Sequence, residues 1–319
     1  MVMSMREILI SECIELLRAH KFTVSKPLGR SCFDMVASRD DIRLILKILK
    51  NIDSLSREQS KELKKISKIL HGTPLIIGIR TRNAPMEHGV VYDRYNIKAV
   101  TFETFRDYLE GSPPVVYANR GGFFVKIDGK VLKEVREAMG ISVGKLAEIA
   151  GVSRKAIYKY ETQMANPSVD VAIKIEEFLD VPLVKGIDLF EPVNDEDVEN
   201  KLENLEDFKK EAINFLNELG FKSFVVEKAP FDAVAEKDMD NNLNILLTNI
   251  EEKGSEEVKR KALFVRELSR LLDGYSLLIL EEKEKEYKNL PVVSIEELKK
   301  MDDALELIEH IKSMLRDIK

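Results

Sequence analysis

Apolar side chains recur along this chain at two spacings, and the spacing changes from segment to segment. Over residues 6–20, Ile10, Cys13, Ile14 and Leu17 fall on one side of a helix of 3.6 residues per turn. Residues 22–24 and 33–38 read as short strands, with Asp40-Asp41 at the turn that follows. The stretch 42–49 is so uniformly apolar that a strand there must be buried on both faces. A helix is expected over 56–70, beginning at Ser56, then a buried strand at 74–79. Residues 81–93, with Pro85, Glu87, His88 and Tyr92, read as a polar loop after a strand end, a place where ligands often bind. A short strand at 97–101 and a helix at 101–109 close the region. The order α-β-β-β-α-β-β-α predicts an α/β layer on a mixed sheet.

Between residues 131 and 183 the period is helical throughout. Val131, Leu132, Val135 and Met139 predict an amphipathic helix ending at Gly140. Leu146, Ile149 and Ala150 mark a second helix, and Ile157 and Tyr160, with Ala156 beside them, a third. A fourth, over 169–179, starts at Ser168, turns Val171, Ala172, Ile175 and Phe178 inward and stops at Val181-Pro182. Ser142 and Ser153 stand where N-caps belong, since a hydroxyl there accepts a bond from the first orphan amides of each helix. Gly151 lets the chain turn sharply before the third helix. Two short helices joined by such a turn form a helix-turn-helix. Ahead of them, 115–118 and 123–127 read as strands joined by the hairpin turn Asn119-Arg120-Gly121-Gly122. Arg120 is placed either to touch a nucleic-acid backbone, as a wing does, or to let the hairpin simply brace the first helix.

Beyond residue 205 the first pattern returns. EAINFLNELGF (211–221) echoes ECIELLRAHKF (12–22), and APFDAVAEKD (229–238) echoes SCFDMVASRD (31–40). A strand at 243–247, a helix at 256–272 and a strand at 275–280 follow, and VVSIEELKKM echoes AVTFETFRDY. Phe33-Asp34 and Phe231-Asp232 lie at matching distances from Phe22 and Phe221, less one residue. We read an internal duplication here, against the alternative of two α/β domains sharing an element order by chance. Pro113-Pro114 and the acidic stretch 194–204 read as linkers. Three domains result: α/β at 1–111, all-α behind a β-hairpin at 112–193, and α/β again at 194–319.

The run LKEVREAMGISVGKLAEIAGVSRKAIYKYETQMANPSVDVAIKIEEFLDVPL resembles the Cro/cI repressor type of DNA-binding domain, the lambda-repressor-like fold. That resemblance implies that the helix beginning near Ser153 lies in the major groove and that its first side chains reach base edges. Arg154, Lys155 and Lys159 are then the base readers, because Arg and Lys donate to guanine O6 and N7. Ser142, Lys145, Ser153, Tyr158 and Asn166 are implied as backbone contacts, which orient without specifying. Val143, also in the contact set, stands where that family usually carries a Gln that touches base or phosphate. The competing account of these residues is an ordinary solvated helix face.

The first α/β pattern resembles the PD-(D/E)xK nuclease core, in which an Asp and a second acid bind Mg²⁺ and a Lys activates the attacking water. Asp34 and Lys47 match that pattern, but Ile45 stands where the second acid belongs, and Ile cannot ligate a metal. The second copy offers Asp232, followed by a strand, LNILLTN, with no matching acid or Lys. The expectation is a nuclease-like fold without the chemistry: no catalytic residues, no metal and no cofactor. Four histidines, His20, His71, His88 and His310, have no ligand spacing among them, and Cys13 and Cys32 give neither a disulfide framework nor a metal cluster.

Charge changes the picture in one respect. The formal net charge is −6, which suits DNA poorly until it is divided. Residues 1–111 carry 19 basic and 14 acidic side chains, and residues 194–319 carry 20 and 31. Within the neutral middle, residues 120–160 hold 9 basic against 4 acidic. Phosphate binding follows local Lys and Arg, so the overall sign does not forbid it. No apolar run of membrane length and no leader is present, so a cytoplasmic protein without membrane partners is expected. Dense charge with scarce Gln matches heat-loving organisms. The whole arrangement resembles a group of archaeal helix-turn-helix transcriptional regulators. It implies a sequence-specific binder of double-stranded DNA acting as a homodimer, with a protein partner or small-molecule effector engaged through the α/β regions. The alternatives are a DNA-targeted nuclease or nuclease-derived protein of foreign-DNA control, and an antitoxin-like scaffold whose acidic C-terminal region mimics DNA or binds a protein.

Overall fold

A computed structural model describes residues 3–29, 31–193, 205–239, 242–282, 287 and 290–316. The linker expected at 194–204 lies outside the described residues. In chain order the elements begin with α1 (Met5–Ala19), β1 (Thr23–Val24), β2 (Met35–Arg39), β3 (Ile42–Asn51), α2 (Arg57–Ile69), β4 (Thr73–Arg80), β5 (Val90–Arg94), β6 (Ile97–Val100) and α3 (Phe102–Leu109). Next come β7 (Val116–Asn119), β8 (Gly122–Val125), α4 (Gly129–Ala138), α5 (Val143–Ala150), α6 (Arg154–Glu161) and α7 (Val169–Leu179). The last are α8 (Asp207–Glu218), β9 (Lys222–Val225), β10 (Ala233–Met239), β11 (Asn242–Glu251), α9 (Glu256–Leu271), β12 (Tyr275–Leu280), β13 (Val292–Ser294), α10 (Ile295–Leu298) and α11 (Ala304–Arg316). The chain falls into two compact units. One comprises Met1–Leu9, Ile48–Ser56 and Leu75–Glu191, the other Ile10–Lys47, Arg57–Pro74 and Pro192–Lys319.

In the second unit β1, β2 and β3 pair antiparallel, with Met35 opposite Leu46 and Val36 opposite Ile45. β9, β10 and β11 do the same, and β12 and β13 then add in parallel. Ala233 faces Thr248 in that second ladder. Parallel strands need both faces covered. One face meets Ile213 and Leu216 of α8 and Leu307 and Ile311 of α11, packed with Leu246 and Ile279. Leu278 and Leu280, on the other face, pack with Ala262 of α9.

In the first unit β4 and β6 are parallel, β6 and β5 antiparallel, β5 and β7 parallel, and β7 and β8 antiparallel. β5 corrects the reading of 81–93 as a loop to its end. Val90 and Val91 are buried, and Tyr95 and Asn96 both take positive φ in the two-residue turn that joins β5 to β6. α11 is a second element the sequence reading did not separate. The remaining core of this unit belongs to α4–α7, where Leu132, Leu146, Ala150, Ile157, Tyr160, Ala172, Ile175 and Leu179 close around one another. Two residues expected inside lie outside: Met139 is 51% exposed and Phe178 38%. Leu179, one position on, is buried instead, because the inner face of α7 runs Ala172, Ile175, Leu179.

Candidate nucleic-acid interface

The helix-turn-helix is α5, a three-residue turn and α6. Ser142 caps α5 by accepting the Lys145 N–H at 3.1 Å, and Ser153 caps α6 by accepting the Ala156 N–H at 3.2 Å. Gly151 closes α5 in the left-handed conformation, φ 70° and ψ 34°, where a Cβ would be strained. The Val152 N–H returns to the Ala147 carbonyl at 2.9 Å and seals the turn. Ser168 departs from its expected role. It occupies the N-cap position of α7 but its hydroxyl makes no capping bond. The start of α7 is held through main chain instead, by the Phe124–Ser168 bridge and the Val125 N–H on the Pro167 carbonyl.

Ile157 and Tyr160 turn one face of α6 into the core. The remaining surface of the helix leaves Arg154, Lys155, Tyr158 and Lys159 exposed to solvent, with Tyr158 56% exposed. Among the described residues, Arg154, Lys155 and Lys159 have no side-chain hydrogen bond or ion pair. The Arg154 guanidinium lies over Gly144 in the first turn of α5, close enough that a Cβ there would sit 2.8 Å from its Nε. Lys145 is paired with Glu148 at 3.3 Å. Val143 is half-buried against the core, so it offers a methyl surface rather than the amide a Gln would bring. Asn166 donates from Nδ2 to the Tyr117 hydroxyl at 2.9 Å, which ties the loop after α6 to β7.

Two features the sequence reading did not single out hold α6 in place. Arg136 of α4 grips Glu161 at the end of α6 through Nε at 2.5 Å and Nη2 at 3.1 Å, and donates from Nη1 to the Ile141 carbonyl. Both side chains are almost fully buried, and Glu161 holds the Arg136 guanidinium above its ordinary pKa against the opposing effect of burial. Gly129 lets α4 start directly on the backbone of α6: a Cβ there would meet the Tyr160 carbonyl oxygen at 2.3 Å. The hairpin turn is as expected, with Asn119 opposite Gly122 and Arg120 exposed at the tip.

The nuclease-like centre has a different character. Asp34 is fully buried beside Lys47, whose ammonium lies 3.4 Å from Oδ1 and donates to the Ser31 carbonyl at 2.7 Å. Ile45, on the same strand, is fully buried. The segment 227–228 abuts this corner, the Lys228 carbonyl accepting the Cys32 N–H and the Ser31 hydroxyl and the Glu227 N–H donating to Glu62 of α2. At the Phe231-Asp232 step of the C-terminal α/β region, Asp232 meets Lys209 of α8 at 3.2 Å and Lys261 of α9 at 3.5 Å. Burial works to lower the Lys209 ammonium pKa, but Asp232, with Glu251 and Glu206 behind it, turns the net shift upward. The strand reading missed both lysines because they arrive from helices. Among the described residues no three His, Cys, Asp or Glu side chains come together in a way that could hold a metal. Burial pushes both thiols, Cys13 and Cys32, up to about 12, which leaves them unreactive. No described helix is long and apolar enough to cross a membrane.

Comparison with known proteins finds two family models, one over each of the regions just described. A PD-(D/E)XK superfamily domain model matches residues 6–114, and a helix-turn-helix model matches residues 132–185. A Methanocaldococcus jannaschii protein, named provisionally as an HTH-type transcriptional regulatory protein, is 96% identical over 318 residues, covering 100% of both chains. A Methanococcus maripaludis protein given the same provisional description is 55% identical over 326 residues, covering 99% of this chain and 100% of its own. One from Pyrococcus furiosus is 40% identical over 286 residues, covering 89% and 90%. No solved structure matches the chain.

Proposed function

The chain belongs to the family of archaeal HTH-type transcriptional regulatory proteins, and from that premise we propose that it binds double-stranded DNA sequence-specifically to regulate transcription. The observation that carries this reading is the exposed cationic face of α6, with Arg154, Lys155 and Lys159 unpaired among the described residues. In the major groove these three donate to base edges. Ser142, Lys145, Ser153 and Tyr158 serve the phosphates. Asn166 keeps a second amide hydrogen for a phosphate after its bond to Tyr117, and Val143 adds only surface contact. One such helix reads a few base pairs, so two copies on half-sites about one helical turn apart are the expected binding unit.

The domains are 1–111, 112–193 and 194–319, the first and third being copies of one nuclease-like fold. Support comes from matched details. The Asp34 N–H bonds the Leu46 carbonyl and the Asp232 N–H bonds the Thr248 carbonyl. That register sets Lys47 against Asn249, and each donates to a carbonyl just before its Asp. We assign these domains a scaffolding role and no nuclease activity. A buried Asp34, a Lys47 committed to protein oxygens and Ile45 in the acid position all favour that assignment. An effector would suit the cleft of about 410 Å³ lined by Lys21, Arg39, Asp40, Arg270 and Asp273.

Selection of bound sequences from random duplexes, followed by titration in Mg²⁺, tests the proposal. One motif should be enriched and left uncut, and Arg154→Ala should cost ~1–3 kcal/mol at a single base position. No enriched motif, or cleavage lost in Asp34→Ala, would sink it.

A further inference from the structure

Gly144 lies in the first turn of α5, where the backbone is helical and needs no glycine. Glycine is among the poorest residues for a helix, so its presence calls for another reason. What its missing side chain makes room for is specific. An added Cβ would stand 2.8 Å from Nε, 3.1 Å from Cζ and 3.1 Å from Nη2 of Arg154, the nearest atoms outside its chain neighbours and the helix's own backbone. The Arg154 guanidinium therefore rests on the bare face of Gly144. Among the described residues it has no hydrogen bond or ion pair, so this packing is what sets its direction. Val143, the neighbour on α5, is turned towards the core and cannot brace it.

We propose that Gly144 is a positioning residue for DNA recognition: it lets Arg154 lie back against α5, and this fixes the plane in which the guanidinium meets a base edge. The idea rests on the reading of α6 as the DNA-reading helix. A planar fork donates two bonds to guanine only in one orientation. A methyl group at position 144 would push the far end of a flexible side chain and leave the backbone untouched. Recognition should change while the fold does not.

The test is a double-mutant cycle on the selected duplex, with binding-site selection and thermal melting for each protein. Gly144→Ala should melt no lower than wild type, because alanine favours the helix. Its affinity for the selected duplex should fall roughly tenfold. The altered preference should be confined to the base pair that Arg154→Ala also relaxes. In the Arg154→Ala background, Gly144→Ala should change nothing further. Gly144→Ser should show the same pattern and guards against a folding defect in either single variant. Wild-type affinity and preference in both Gly144 variants would overturn the proposal, and so would an equal loss with and without Arg154. If wild type itself selects no sequence, the DNA-reading assignment fails first, and that outcome is distinct from either.

Discussion

The Arg136–Glu161 pair shows what a single buried interaction does for this domain. The guanidinium ties α4, the carbonyl before α5 and the end of α6 together. Neither side chain retains much water, at 8% and 5% exposure, so removing one partner strands the other charge. Arg136→Met should therefore cost roughly 3 kcal/mol of stability. Adding Glu161→Leu should recover most of it, because a pair of apolar groups needs no compensation. Chemical unfolding of wild type and the two variants checks this, and a double variant as unstable as Arg136→Met would refute it. The pair was not legible in the sequence, where its members stand 25 positions apart with nothing local to link them. The exposure of Arg154, Lys155 and Lys159 on α6 was legible through the resemblance to the Cro/cI type, which sets the start of that helix near Ser153. Lys209 and Lys261 were not, since the partner they neutralise, Asp232, lies beyond the reach of any local pattern.

At the scale of elements, local chemistry was read correctly wherever it decides the outcome. Ser142, Gly151 and Ser153 act within four residues of themselves, and each performs the task its type implies. Errors fell where tertiary contact decides. Val90 and Val91 fall within the stretch read as a polar loop, and they form a strand because β6 and β7 supply partners on either side. Ser168 lost its capping role because β8 pairs with its main chain. Gly129 is a case of the same kind. Its sequence context suggests nothing beyond a helix start, yet α4 begins where the Tyr160 and Glu161 carbonyls leave no space for a side chain. Those neighbours are backbone and cannot swing aside. Gly129→Ala should then destabilise the protein by about 1–3 kcal/mol, although alanine is the better helix former. Gly144→Ala meets only a flexible side chain and should not. Comparing the two melting temperatures separates backbone crowding from helix propensity, and a Gly129→Ala variant as stable as wild type would show that the helices can shift apart.

For the molecule as a whole, the echo of ECIELLRAHKF in EAINFLNELGF and of SCFDMVASRD in APFDAVAEKD was legible in the sequence, but the contacts that residues 31–62 make with residues 227–228 within the second unit were not. Asp34 and Lys47 are sealed where Lys228 accepts from Cys32 and Ser31, and where Glu62 accepts from the Glu227 N–H at 2.6 Å. Burial is the main influence on Glu62 and the nearby Glu227 carboxylate adds to it. Together they raise its pKa above the ordinary 4.5, against the pull of that N–H and of Lys65 and Lys228. An acid with a raised folded pKa holds its proton more tightly in the folded state than in the unfolded one. Its contribution to stability therefore improves as pH falls through the folded pKa, and above that point the charged form is a standing cost. Glu62→Gln removes the charge and keeps an oxygen for the Glu227 N–H. The variant should melt above wild type at pH 7, and the gap should close as pH is lowered to about 4, where wild type is itself protonated. The same substitution should leave DNA affinity unchanged, because Glu62 belongs to the seam and not to α6. A gap that widens in acid would mean that the Glu62 carboxylate, rather than its burial, stabilises this junction.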